Sequence, residues 1–327
     1  MKKLKRIFSW SALPSLILFL LFLGINSLIT GGLSASFFRS FLSTNAGAIC
    51  VAIGVSATIL VAGTDISLGS IVSLVNVVIV TLCGKGVGVP QAALMGLLSA
   101  VLCGMINGVI VGVLRVNPLL TTFATSTAFS GIALWILPYP GGSIDFSFGD
   151  WYLGNMFGFI PTSVVLILLL VVIWFFVMKL PAGPHIYALG KDVKKAYASG
   201  INVTALRFFV HTFAGFCAGI AGICISANTC AGSPTVGAAM SMNSIAAAVI
   251  GGVSLNGGIG SIWGGVFGAC FLSILTSIVV AVRLSSVVQS FIQGLILLVG
   301  VIFSIVAADP TLRAKLKAWR KRGHNHE

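Results

Sequence analysis

The sequence predicts an all-α polytopic membrane protein of about ten transmembrane helices, and three observations carry that prediction. Hydrophobic residues make up 57% of the 327 and charged residues only 8%, where a soluble domain carries roughly a quarter charged residues. The apolar runs are about as long as the ~20 residues that a helix needs to cross ~30 Å of hydrocarbon. They are continuous, unlike the ~10-residue alternating segments of a β-barrel, and an open sheet edge cannot be satisfied in lipid.

Spans fall near 10–30, 46–63, 66–83, 91–114, 119–138, 162–179, 208–227, 240–254, 259–282 and 287–306. Only Gly-rich turns separate neighbours at 63–66 and 254–259, where a re-entrant element would read the same way. With the N-terminus inside, every one of the 19 basic residues except Arg39, Lys85 and Arg283 lies on the inner side, as cytoplasmic loops require. Asp145 and Asp150 then lie in the long external loop 139–161 and both termini are cytoplasmic. The organisation is a short N-terminus (1–9), a membrane domain (10–306) with an inner loop at 181–207, and a basic tail (307–327).

This topology accounts for the net charge of +13. The basic residues flank spans instead of forming one patch, so no nucleic-acid partner is expected. Membrane lipid is, because the tail residues Arg313 to Arg322 can rest on anionic headgroups with Trp319 at the interface. His324 and His326 in that tail are weak grounds for a metal, and no metal site is expected. The basic start MKKLKR and its apolar run read as an uncleaved signal anchor, with Pro14 in the first turn. Seven Cys without a CxxC pair read as small packing residues.

Asp65 is one of only six acids. A carboxylate in lipid is a functional candidate by default, but Gly63-Thr64-Asp65 stands where one span ends and the next begins. Thr64, Asp65 and Ser67 there read first as a helix cap, satisfying the unpaired N–H groups of the new helix; a proton or cation relay is the alternative. Two rows, Gly104-Gly108-Gly112 and Gly260-Gly264-Gly268, offer bare helix faces for close packing. They occupy equivalent spans of a 2–5/7–10 duplication with opposite orientations, an inverted repeat of the kind many transporters use. Uncharged polar residues within spans, among them Asn107, Thr121, Thr125, Asn228, Asn243 and Gln293, could line a path for a neutral polar solute. Interhelical hydrogen bonding explains any one of them equally well.

No phosphate-binding loop, HExxH or GxSxG occurs. The chain is therefore not expected to be an enzyme or to bind a cofactor of its own, and any ATP chemistry must come from another chain.

The inner loop contains the run Lys191 to Ile201, which reads as one short amphipathic helix ended by Gly200. Together with Ala62-Gly63-Thr64-Asp65-Ile66-Ser67-Leu68-Gly69-Ser70 and the stretch Ile245 to Gly252, this loop resembles the permeases of the ribose type in ABC sugar importers. The resemblance covers nearly the whole chain. Lys191-Asp192 stand where the family usually has Gly-Asn, and Met240 to Ser244 replace a segment that usually carries an acid. The resemblance implies a permease subunit paired with a second one, a periplasmic binding protein that delivers solute, and separate ATPase subunits that use ATP and Mg. It also implies a bacterial inner-membrane location, and a coupling role toward the ATPase for Gly190, Lys191, Asp192, Ala196, Ser199 and Gly200. Related permeases for branched-chain amino acids or nucleosides are the next alternative. An autonomous secondary transporter is disfavoured by the scarcity of intramembrane charge.

Overall fold

A computed structural model describes residues 12–156 and 158–283, with scattered positions between 287 and 298. The described residues are all-α apart from one pair of two-residue strands. Its helices are α1 (Leu13–Thr30), α2 (Ala35–Leu60), α3 (Leu68–Gly84), α4 (Val89–Gly108), α5 (Pro118–Ile136), α6 (Phe146–Leu153), α7 (Thr162–Lys179), α8 (Ala182–Lys191), α9 (Val193–Ala198), α10 (Val203–Thr229), α11 (Met240–Ile250) and α12 (Ile262–Ala281). Strands β1 (Asn155–Met156) and β2 (Ile160–Pro161) pair antiparallel. Among the described residues, seven helices are long and apolar enough to cross a membrane, and α3 and α11 are shorter apolar helices. Most of the tenth predicted span, 287–306, Gln293 included, lies outside the described residues.

Local chemistry starts these helices where the sequence permits. Pro14 sits in the first turn of α1, where its missing N–H costs nothing. Ser34 Oγ accepts from Phe37 N at 3.1 Å to open α2. Asn117 Oδ1 accepts from Leu119 N at 2.9 Å ahead of Pro118, and Asn202 Oδ1 accepts from Ala205 N at 3.0 Å to open α10. Hydropathy alone placed the second span at 46–63, yet α2 begins at Ala35, because Arg39, Ser40, Ser43 and Asn45 interrupt the apolar run without interrupting the helix.

Helix α10 is the centre of the bundle. It packs against α2, α3 and α4, and nearly every side chain on the later turns of α2 is buried. Around this core α12 packs on α1, α2 and α11, while α5 packs on α3. The rim carries exposed large apolar residues such as Leu98, Leu102, Phe123, Phe175 and Phe176, the surface expected where lipid and not water is the solvent.

The first glycine row makes the tightest of these interfaces. A Cβ on Gly104 would lie 2.6 Å from His211 O, one on Gly108 2.9 Å from Phe208 O, and one on Gly112 2.9 Å from Thr204 O. The backbone of α10 thus lies directly on the α4 row, and α4 passes into a π-helical segment, Val109–Val113, along this contact. The second row is shorter than the sequence suggested. Gly264 abuts Gly251 and Gly268 abuts Ala247, both on the α11 side, but Gly260 precedes α12. It sits in a turn at φ +119, packed on Val253, because the glycines at 257, 258 and 260 all take positive φ and end any helical path there.

The two ends of the bundle differ. One end gathers the α2–α3 link, the α11–α12 link and the pair α8–α9. Gly258 N donates to Leu60 O at 3.1 Å, and Tyr187 Oη donates to Gly260 O at 2.9 Å. The opposite end carries α6 and the hairpin. There Gly141 and Gly232 form a backbone bridge, and Tyr152 Oη donates to Ser43 O at 2.6 Å.

Candidate functional site

Asp65 is fully buried at the end that carries α8 and α9. Its Oδ1 accepts from Ser67 N at 2.9 Å and from Ser67 Oγ at 2.6 Å. Its Oδ2 lies 3.0 Å from His211 Nδ1 on α10, which is itself fully buried. Asn107 Nδ2 on α4 donates to Ser67 Oγ at 2.7 Å. Beside them Ile66 N donates to Thr122 Oγ1 at 3.2 Å, and Thr122 Oγ1 donates to Thr64 O at 3.3 Å. One short link therefore ties α3, α4, α5 and α10 together through side chains that have no water to replace a lost partner. Two atoms of the cluster, His211 Nε2 and Asn107 Oδ1, have no hydrogen-bond partner among the described residues.

This geometry revises the predicted cap. Ser67 occupies the N-cap position of α3, but its side chain makes no capping bond, because the hydroxyl is spent on Asp65 and Asn107. Thr64 contributes its backbone carbonyl, not its side chain. The carboxylate serves Ser67 N and, across the bundle, His211. The sequence reading missed His211. The signal was a single imidazole inside the apolar run Phe208-Phe209-Val210-His211, since an ionisable residue in such a run normally has a buried partner.

The residues predicted to line a path separate into distinct places. Asn107 is fully buried in the Asp65 cluster and faces no cavity. Thr121 is buried, its hydroxyl without a partner among the described residues, and Thr125 Oγ1 donates back to Thr122 O at 3.3 Å. Asn228 is exposed on α10. Asn243 lines a cavity of about 230 Å³ between α2, α11 and α12, with Asn45, Ser244, Ser273 and Thr276 as its other polar neighbours. Asn76 on α3 escaped notice. It donates to Ser226 Oγ at 2.9 Å and to Ala231 O at 3.0 Å and accepts from Ser233 N at 2.7 Å, so it pins the α10–α11 link to α3. Ser73 and Ser241 sew the same seam by accepting from Gly237 N and Gly69 N.

The inner loop forms two helices where the sequence suggested one. Asp192 breaks the path with φ −160 and accepts on Oδ1 from both Lys194 N and Lys195 N at 3.0 Å, capping α9. Those bonds, the one from Lys195 N foremost, hold its carboxyl below the usual range. Gly200, at φ +79, ends the segment. Gly190 is a wedge: a Cβ there would strike Leu60 O and Gly258 N, so α8 seats on both the α2–α3 and α11–α12 links. Ala196 is 3% exposed and belongs to the core of its own chain, which removes it as a contact for a partner. Lys191, Lys194, Lys195, Tyr197, Ser199 and Gly200 face outward.

An all-α, multi-pass membrane protein whose polar groups meet between helices is the class that this fold and site define. Its family follows from comparison with known proteins: residues 37–301 match the family described as "Branched-chain amino acid transport system / permease component", and the chain belongs to that family. It is 32% identical to the D-allose transport system permease protein of Escherichia coli (strain K12), over 86% of this chain and 87% of that one. It is 29% identical to the ribose import permease protein of Bacillus subtilis (strain 168), over 77% and 79%. With the galactofuranose transporter permease protein of E. coli (strain K12) it shares 28%, over 82% of each. No solved structure matches. The chain is a ribose-type ABC permease, a transport component and not an enzyme, and a permease of an ABC import system works with ATPase and solute-binding partners.

Proposed function

We propose that the chain forms the membrane path of a bacterial importer for a small neutral polar solute, a monosaccharide or a close relative. The observation that carries this reading is its similarity, along most of its length, to permeases named for ribose, D-allose and galactofuranose. The cavity at Asn45, Asn243, Ser244 and Ser273 is consistent with it, since neutral donors and acceptors suit hydroxyl groups and no charge lines the space.

In this reading both termini are cytoplasmic and α8–α9 lies on the cytoplasmic side of the inner membrane. The exposed face of α9 around Tyr197 meets an ATPase subunit, which supplies the ATP and Mg chemistry. Gly190 makes the transmission physical: α8 rests on Leu60, five residues before Asp65, and on Gly258 in the loop leading to α12. A displacement of α8 therefore reaches both the Asp65 cluster and the helices around the Asn243 cavity, a two-state change biased by nucleotide on the partner. A second permease subunit completes the path, and a periplasmic binding protein supplies selectivity. A 2–5/7–10 duplication is supported by paired contacts: α3 on α4 has its counterpart in α11 on α12, α4 on α10 in α12 on α2, and α3 on α10 in α11 on α2.

Uptake of labelled pentoses, hexoses and branched-chain amino acids, in cells with and without the chain, tests the reading. Accumulation of one or a few sugars that requires the chain is expected. Chain-dependent uptake confined to amino acids would overturn the sugar assignment.

A further inference from the structure

A second cavity, of about 800 Å³, opens beside α9 where α4 and α10 meet. Its lining includes Arg115, Lys194 and Arg207 and, among the described residues, no acid. Arg207 is partly buried, but its Nε is shielded and has no hydrogen-bond partner among the described residues, and a shielded guanidinium N–H without an acceptor is costly. Asn202, Val203 and Thr204, at the N-terminus of the 27-residue α10, line the same space, so the positive end of a long helix dipole adds to three side-chain cations. Arg115 is held at its rim by a left-handed backbone, φ 56. The surface beyond the rim is apolar: Val113 and Leu114, which lie in sequence between the lining residues Gly112 and Arg115, are exposed, as are Val116, Leu119 and Leu120.

A cationic hollow with an unfilled N–H, continuous with an exposed apolar wall, matches a molecule that carries an anionic phosphodiester and acyl chains. We propose that this cavity is a binding site for the headgroup of an anionic phospholipid, with the phosphate between Arg115, Lys194 and Arg207 and the chains along Val113, Leu114 and Leu120. Zwitterionic lipid carries its own cation and gains less from three basic groups. Because α9 forms one wall, an occupied site braces Lys194 and Tyr197 against α4 and α10. The inference stands on the cavity itself and does not depend on the solute carried.

The test is selective lipid retention by the purified full chain, read by native mass spectrometry from neutral detergent doped with phosphatidylglycerol or phosphatidylcholine at equal mole fraction. The parent should retain phosphatidylglycerol preferentially. Arg115→Gln and Lys194→Gln should each lower that preference about 5-fold, and the pair about 25-fold, as expected for single basic groups next to an anionic headgroup. Both side chains are exposed, so these variants fold, whereas Arg207→Gln is read only if its melting temperature is unchanged. Lys85→Gln, at the other end of the bundle, should retain the parental preference. Equal retention of the two lipids by the parent, or full preference in the double variant, overturns the proposal. Displacement of phosphatidylglycerol by millimolar inorganic phosphate would make the site one for a free anion and overturn the lipid assignment. Loss of ATPase co-purification in the double variant with lipid preference intact would make it a protein contact, with the same consequence.

Discussion

Replacing His211 with Leu isolates what the buried pair contributes. Leucine fills much of the imidazole's volume, so the principal change is the lost hydrogen bond. Asp65 keeps Ser67 N and Ser67 Oγ but loses the partner at 3.0 Å. Removing one partner of a buried hydrogen bond typically costs ~1–3 kcal/mol, because the polar group left behind is desolvated and unsatisfied. At about 2.1 cal/mol/K per residue, 327 residues give roughly 0.7 kcal/mol per degree. His211→Leu should therefore lower the detergent melting temperature by about 1–4 °C. Asp65→Asn alone should cost ~1 kcal/mol, since the amide oxygen still accepts from Ser67 and its NH2 can donate to His211 Nδ1 in the other tautomer. In the double variant the bond between the two is lost only once, so its loss should fall short of the sum of the two single losses by at least ~1 kcal/mol. The assay is a thermal melt of all four proteins followed by uptake. Losses that add to within ~0.5 kcal/mol would show that the two side chains do not interact and would refute the pair as the fastening of the α2–α3 link.

Three further expectations follow from packing and charge. Gly108→Leu and Gly264→Leu should both lower the melting temperature, by ~1–3 kcal/mol or more of overpacking; Gly264 should be the more sensitive even to Ala, because its added Cβ meets backbone of Gly251 at closer range than Gly108 meets Phe208, and equal tolerance of Ala at both would contradict the apposed faces. Ala196→Glu should destabilise α8–α9 itself, since residue 196 is 3% exposed, whereas Tyr197→Glu should leave the melt unchanged and weaken ATPase co-purification; the reverse pattern would remove α9 as the contact. The carboxyl of Asp192 is held below the usual range, so its capping of α9 is fully present above the unfolded carboxylate value and lost as pH falls through the folded one. Amide protection at Lys194 and Lys195 should decline on acidification in the parent and not in Asp192→Asn, and a pH-independent parent would contradict the cap.

Composition and run length made the membrane class legible, because they report bulk transfer into lipid and need no partner. The Gly104, Gly108 and Gly112 row was equally legible, since spacing of four residues on one helix defines a face before its neighbour is known. What could not be read was which groups meet across helices. Asp65 and His211 are 146 residues apart, and nothing local in Gly-Thr-Asp distinguishes a solvated cap from a buried carboxyl with a distant partner. Asn107 read as a path residue for the same reason: a polar side chain in a span looks alike whether it faces a channel or a serine on the next helix. Gly260 misled in a different way, because it obeys a periodicity that the chain abandons at positive-φ glycines, and Ala196 was assigned by resemblance, which does not tell the buried face of α9 from the exposed one.

The central claim is that this chain moves solute only as the membrane part of an ATP-driven complex, and proteoliposomes test it most directly. The chain is reconstituted with its ATPase and binding protein, and uptake of the labelled sugar is followed with ATP, with a non-hydrolysable analogue, and with a proton or sodium gradient alone. The account predicts accumulation with ATP and none in the other two conditions. Gradient-driven uptake by the chain without the ATPase would contradict it.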